Sequence, residues 1–219
     1  MLPALAHVDA WIFDLDNTLY PAACDLFGQM DGRMTAYVAR VTGLDLMAAR
    51  TLQKRWFHDH GTTMAGLMAH HGVDPHHYLA DVHDIDLAVV AQDQRLVQAI
   101  ARLPGRKLIF TNADTDYAVR VLDRIGLTDS FEAIHDIHAC AYAPKPSVAA
   151  YESMIAAFGV APDRALFVED MARNLAPAKA LGMTTVWVDN GSEQGPAVAS
   201  PDFIDYRITD LGEWLEEIA

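Results

Sequence analysis

Two carboxylates, Asp14 and Asp16, stand two residues apart directly after the apolar run Trp11-Ile12-Phe13. On a strand, side chains alternate faces, so both acids project the same way. Like charges this close repel, and one pKa rises unless a cation lies between them. The pair therefore implies a metal ion, or one acid holding a proton, or both. The plain alternative is a strand end whose acids only cap the next turn. A second acidic pair, Glu169-Asp170, follows the apolar run Leu166-Phe167-Val168. Neighbouring residues of a strand face opposite ways, so these two are expected to differ in role, with Asp170 the direct metal ligand and Glu169 behind it. Asn174 lies where the following helix begins, within reach of the acids across the site. Leu108-Ile109-Phe110 closes in Thr111-Asn112, whose hydroxyl and backbone N–H groups can hold a phosphoryl oxygen. Lys145 lies between Pro144 and Pro146, a rigid frame just before a helix start.

These groups need strand ends to carry them, and the pattern supplies strands. From Arg106 onward apolar strands alternate with helices: Lys107–Phe110, Thr115–Ile125, Ala133-Ile134, a helix capped by Ser147 and ending near Gly159, Ala165–Val168, Asn174–Leu181, Thr184–Val188, Tyr206–Ile208 and a terminal helix. Such alternation predicts an α/β fold, a Rossmann-like and mostly parallel sheet with helices on both faces. Ligands of such sheets lie at the carboxyl ends of the strands. Between about residues 22 and 99 strand-like runs are absent. Leu26, Met30, Met34, Tyr37, Val38 and Val41 recur at helical spacing. Further helices are expected over Leu46–Phe57, from Thr62 or Thr63 to His71, from Pro75, and over Gln92–Leu103. The expected division is residues 1–20 and 100–219 as the α/β core and 21–99 as an inserted all-helical domain. Gly191 to Pro201 reads as the one flexible loop.

The chain has 219 residues, 52% hydrophobic, with a formal net charge of -14. That length allows one domain and a smaller second one. An acidic surface repels nucleic acid and anionic membranes, so neither is an expected partner. No apolar run approaches the roughly 18 residues that span a bilayer. Cys24 and Cys140 are far apart and in no CxxC, which suits a reducing compartment. A cytoplasmic protein, monomer or homodimer, is expected. Seven of the ten histidines fall between His58 and His83, without the usual Cys and His spacing of a zinc site. No Gly-rich phosphate cradle is present.

Asp14-Leu15-Asp16-Asn17-Thr18-Leu19 resembles the first motif of the haloacid dehalogenase superfamily, Asp-x-Asp-x-Thr. Thr111 resembles the second motif, Lys145 the third and Glu169-Asp170 the fourth, in the family's order, with the helical insertion between the first and second, as in members with a helical cap. The resemblance implies a Mg2+-dependent phosphomonoester hydrolase. Asp14, the backbone carbonyl of Asp16 and Asp170 would hold the metal, Asp14 would be the nucleophile and Asp16 the general acid and base. Thr111, Asn112 and Lys145 would hold the transferred phosphoryl group, and Thr18 belongs to the same substrate-binding set.

Within the superfamily the chain most resembles the pyrimidine 5'-nucleotidases, on Phe13 to Tyr20 and on His60-Gly61-Thr62-Thr63-Met64-Ala65-Gly66-Leu67. A small phosphorylated metabolite, a nucleoside monophosphate such as UMP or CMP, is the expected substrate, with Gly61, Thr62, Thr63, Arg55 and His58 as the base contacts. The alternatives are a sugar-phosphate phosphatase or phosphomutase. A haloacid dehalogenase fits less well, because its chemistry has no alkoxide to protonate and no metal to hold.

Overall fold

The computed structural model describes residues 3–192 and 201–218. Most of the expected loop, residues 193–200, lies outside the described residues. The chain divides into two compact units, residues 1–24 with 90–219, and residues 25–89.

The first unit is built on a six-stranded sheet in the order β3-β2-β1-β4-β5-β6. Its strands are β1 (Ala10–Phe13), β2 (Arg106–Phe110), β3 (Ala133–His135), β4 (Ala165–Glu169), β5 (Thr184–Val188) and β6 (Tyr206–Ile208). Every neighbouring pair is parallel. Every residue of β1 and β4 is buried, which in a parallel sheet means cover on both faces. The helices of this unit are α5 (Gln94–Arg102), α6 (Thr115–Ile125), α7 (Val148–Phe158), α8 (Ala172–Ala180) and α9 (Leu211–Ile218). Ile12, Leu108, Phe110 and Phe167 point to one face and pack with Tyr151, Met154 and Phe158 of α7 and Leu175 of α8. Trp11 has no exposed surface, and its indole N–H donates to the carbonyl of Pro104 at 2.9 Å. Removing such a side chain costs about 3–5 kcal/mol.

Register places the chemistry. Phe13 lies opposite Ile109 on one side and Val168 on the other. One residue further, Asp14 therefore leaves the sheet beside the ends of both β2 and β4. The chain runs outward from β1 through β2 and β3, then returns to β4 on the other side of β1. The point of reversal, between β1 and β4, is where open sheets gather ligands.

The expected boundary at residue 99 cuts the helix expected over Gln92–Leu103 and leaves its first part in the insertion. That helix is α5, and it belongs to the α/β unit, because it packs on α9, with Arg95 reaching both carboxylate oxygens of Asp210 at 3.0 and 2.9 Å. Ser147 does stand at the start of α7, but its side chain makes no capping bond.

The second unit is helical, with α1 (Leu26–Thr42), α2 (Leu46–His60), α3 (Thr63–His71) and α4 (Pro75–Val82). Its interior holds Met30, Val38, Trp56, Leu67, Tyr78 and Val82. Gly66 permits the close approach of α3 to α2: a β-carbon there would sit 2.3 Å from Cγ of Trp56. Asp31 receives Arg50 at 2.9 Å, Lys54 at 2.7 Å and Gln53 at 2.7 Å, so a carboxylate that burial would penalise is fully paired. Among the described residues no helix is long and apolar enough to cross a membrane.

Candidate active site

Asp14 follows β1 and is buried. Its backbone N–H donates to the carbonyl of Val168 at 2.9 Å, so the chain continues alongside β4 for one more residue. Both oxygens of its carboxylate accept hydrogen bonds. The ammonium of Lys145 donates to Oδ1 at 2.6 Å and the hydroxyl of Thr18 donates to Oδ2 at 3.0 Å. The turn that brings Thr18 back uses Asn17 at φ 59°, a left-handed conformation that Asn tolerates better than most residues. The side chain of Asn190 donates to the carbonyl of Asn17 at 2.6 Å and holds that turn.

Lys145 is a buried cation held by three oxygens. Besides Asp14 it donates to Oε2 of Glu169 at 2.8 Å and to the carbonyl of Phe110 at 2.9 Å. Its own backbone is clamped by Asn112, whose Oδ1 accepts from the Lys145 N–H at 2.8 Å and whose amide donates to the Lys145 carbonyl at 3.4 Å. Thr111 is buried beside it. Its N–H donates to the carbonyl of His135 and its Oγ1 accepts from the N–H of Ala113.

Glu169 ends β4 and Asp170 follows it in the loop. The expected division between them is incomplete, because strict alternation of faces stops where the strand stops. Ligand oxygens of Asp14, Glu169 and Asp170 all lie within 4.8 Å of one another. The loop is held by the N–H of Met171, which donates to Oε1 of Glu169, and by the indole of Trp187, which donates to the carbonyl of Asp170.

Three acids and one lysine in a buried site leave an excess of negative charge. Burial and the charge of Glu169 push Asp14 up to about 7 against the pull of Lys145. Burial, Glu169 and Asp14 raise Asp170 well above the usual carboxylate range. Burial opposes ionisation of Glu169, but Lys145 and hydrogen bonds from Asp170 and Met171 outweigh it and hold this acid low. Burial disfavours the Lys145 cation too, yet Asp14 and Glu169 keep its pKa above the ordinary value.

The donor set fits a hard divalent cation. It consists of carboxylate oxygens, and the backbone carbonyl of Asp16 accepts no hydrogen bond among the described residues. Oδ1 of Asn174 is buried nearby in sequence and likewise has no partner among them. Oxygen ligands of this kind suit Mg2+ better than zinc.

Asp16 is half-buried, and its Oδ1 accepts from the phenols of Tyr20 at 2.6 Å and Tyr117 at 2.8 Å. Sequence reasoning missed both tyrosines. Tyr20 lay inside the motif stretch, four residues after Asp16, and that spacing was the available signal. Tyr117 sits on the apolar stripe of α6 and reads as core.

The residues expected to meet a base lie in the helical unit. Gly61 ends α2, and Thr62 caps α3 by accepting from the N–H of Ala65 at 3.0 Å. Thr63 is 4% exposed, inside that unit, so its hydroxyl is not offered at the surface. Arg55 and His58 are both exposed. Arg55 lines a cleft of about 630 Å³ with Leu52, Trp56, Asp59, His70 and His71. The imidazoles of His60 and His70 meet at 3.2 Å.

A fold with acids, lysine and threonine at these strand ends defines a class of hydrolase. The model of the haloacid dehalogenase-like hydrolases matches residues 8–182, and the chain belongs to that family. It is similar to the phosphoglycolate phosphatase of Shigella dysenteriae serotype 1, with 25% identity across 91% of this chain and 89% of that protein. Phosphate metabolism protein 8 of Saccharomyces cerevisiae is 24% identical across 79% of this chain, which spans 59% of the yeast protein. Among solved structures, a HAD phosphatase from Thermococcus onnurineus matches with a TM-score of 0.63 and 20% identity, covering 97% of this chain and 98% of that one. The L-2-haloacid dehalogenase of Xanthobacter autotrophicus matches with 0.60 and 17%, covering 96% and 98%. At these identities the structural matches establish the fold.

Proposed function

We propose that the protein is a Mg2+-dependent phosphomonoester hydrolase that works through an aspartyl phosphate on Asp14. The observation that carries this reading is the buried cluster of Asp14, Glu169 and Asp170 with Lys145 2.6 Å from Asp14. Asp14, fixed by Thr18 and Lys145, attacks phosphorus in line. Asp16 gives its proton to the leaving oxygen as the P–O bond breaks, then takes a proton from the water that attacks the aspartyl phosphate. Lys145, the hydroxyl of Thr111 and the N–H of Asn112 hold the phosphoryl oxygens. Asp14, Asp170 and the carbonyl of Asp16 would hold Mg2+, with Glu169 and Asn174 around them. When bound, the ion neutralises the acids and the charge on the transferring group.

The fold is shared with haloacid dehalogenases, but the site favours phosphate chemistry. Displacement of a halide needs neither a proton donor at Asp16 nor three carboxylates gathered for a cation.

The proposed substrates are pyrimidine nucleoside monophosphates, UMP and CMP. The choice of leaving group is assigned to the helical unit, where the Gly61-Thr62 turn, Arg55 and His58 offer polar contacts suited to a small base. Phosphate release from a panel of nucleoside and sugar monophosphates tests the reading. UMP and CMP are expected to exceed AMP and GMP. A sugar phosphate that surpasses all four would replace the nucleotidase with a sugar-phosphate phosphatase, and no release from any ester would remove the phosphatase itself.

A further inference from the structure

Asp16 is held through one of its two oxygens. Both phenols donate to Oδ1, at 2.6 and 2.8 Å, and the two hydroxyls are 3.5 Å apart. Oδ2 accepts no hydrogen bond among the described residues. The tyrosines come from different elements, Tyr20 from the loop after β1 and Tyr117 from the first turn of α6. Their rings are 3% and 0% exposed. A buried tyrosine hydroxyl needs an acceptor, and one such bond would satisfy that need. Two phenols converging on one oxygen do more.

A proton on Oδ1 would point into two O–H donors and force one of them to turn away. With Oδ1 engaged by both phenols, Oδ2 is the carboxylate oxygen left open. We propose that Tyr20 and Tyr117 are positioning residues that reserve Oδ1 of Asp16 as an anchor and present Oδ2 as the oxygen that delivers and recovers the proton. This inference rests on the reading of Asp16 as the acid and base of a phosphomonoesterase. A short carboxylate has two rotatable bonds, and a general acid must lie within hydrogen-bond reach of the departing oxygen. The two rigid rings remove that freedom before substrate arrives, which is how preorganisation lowers a barrier.

The test compares phenyl phosphate with p-nitrophenyl phosphate. The two share a ring and a phosphate, and differ in how far the departing oxygen needs a proton. The quantity is kcat/KM, which covers steps up to departure of the phenol. Tyr20→Phe and Tyr117→Phe keep ring and volume and remove one donor each. Each is expected to lose about tenfold on phenyl phosphate and less than about threefold on p-nitrophenyl phosphate, with the double variant approaching Asp16→Asn. Thermal unfolding of each variant is followed in parallel. Equal losses on both substrates overturn the proposal in favour of a purely structural role, and so does wild-type activity on both. A variant that does not fold is replaced by its partner, and loss of folding in both would also overturn it, because the phenols would then be core struts. A wild-type protein inactive on both esters would instead refute the phosphomonoesterase reading itself, which separates the two failures.

Discussion

The ammonium of Lys145 lies 2.6 Å from Oδ1 of Asp14, and both groups are withdrawn from solvent. A second carboxylate, Glu169, lies 2.8 Å from the same nitrogen. Removing one member of a buried ion pair leaves a charge with no partner and costs about 3–5 kcal/mol. Lys145→Met keeps the apolar stem and deletes the cation. At neutral pH the variant is expected to lose about 3 kcal/mol or more, measured by urea unfolding. Part of that loss should return at about pH 5, where Asp14 and Asp170 can hold protons. Unchanged stability would mean that the lysine does not neutralise the acids.

The metal-free protein should become less stable as pH rises toward neutrality. Asp14 is raised to about 7 and Asp170 is raised well above its ordinary value. An acid with a raised folded-state pKa contributes stability below its unfolded value, and loses that contribution as pH climbs to the folded value. Lys145, held high, is charged in both states across this range, whereas Glu169, held low, adds stability as pH rises through its unfolded value of 4.5 and opposes the trend only at the bottom of the range. Clear of Glu169, the window that reads Asp14 is therefore from about pH 5 to about pH 7. Mg2+ should raise the melting temperature more at about pH 8 than at about pH 5, because it competes with protons for the same oxygens. A melting temperature of the metal-free protein that rises through that window, or equal stabilisation by Mg2+ at both values, would contradict the charge assignment.

Asp16→Asn removes the proton donor but not the nucleophile. On phenyl phosphate its kcat/KM should fall by about 100-fold or more, and by much less on p-nitrophenyl phosphate. Equal losses would argue against general acid catalysis by Asp16.

Thr62→Val removes a hydroxyl and also the cap of α3, where it accepts from Ala65. Capping losses run to about 1 kcal/mol. The stability change should therefore be small, while KM for UMP rises and kcat/KM for p-nitrophenyl phosphate holds. Thr63→Val should instead act on stability, since Thr63 is buried. A shift in KM for UMP with Thr63→Val but not Thr62→Val would reverse that assignment.

The fold was legible because its signals are local and repeated. α6, β5 and β6 lie where apolar runs, helical spacing and Gly126 place them, and the motif order gave the strand ends. The expected boundary at residue 99 divides α5, because an amphipathic stripe shows that a helix packs, and not against what. Its partner α9 is over a hundred residues away in the chain. The same limit hid Tyr117, whose ring obeys the apolar period while its hydroxyl serves Asp16. Thr62 and Thr63 read alike in sequence, yet the turn of the helix sends one to a cap and the other inward. Glu169 and Asp170 were expected on opposite faces, and the end of β4 lets both reach the same cluster.

The central claim is that Asp14 carries the phosphoryl group, and the direct measurement is chemical quench during turnover followed by peptide mass spectrometry. Mixing the Mg2+-loaded protein with p-nitrophenyl phosphate and quenching in acid should leave a phosphoryl group on the peptide that contains Asp14, and none in Asp14→Asn. A protein that turns over rapidly while that peptide never carries phosphate, or an Asp14→Asn variant that retains more than a few per cent of wild-type turnover, would contradict the account.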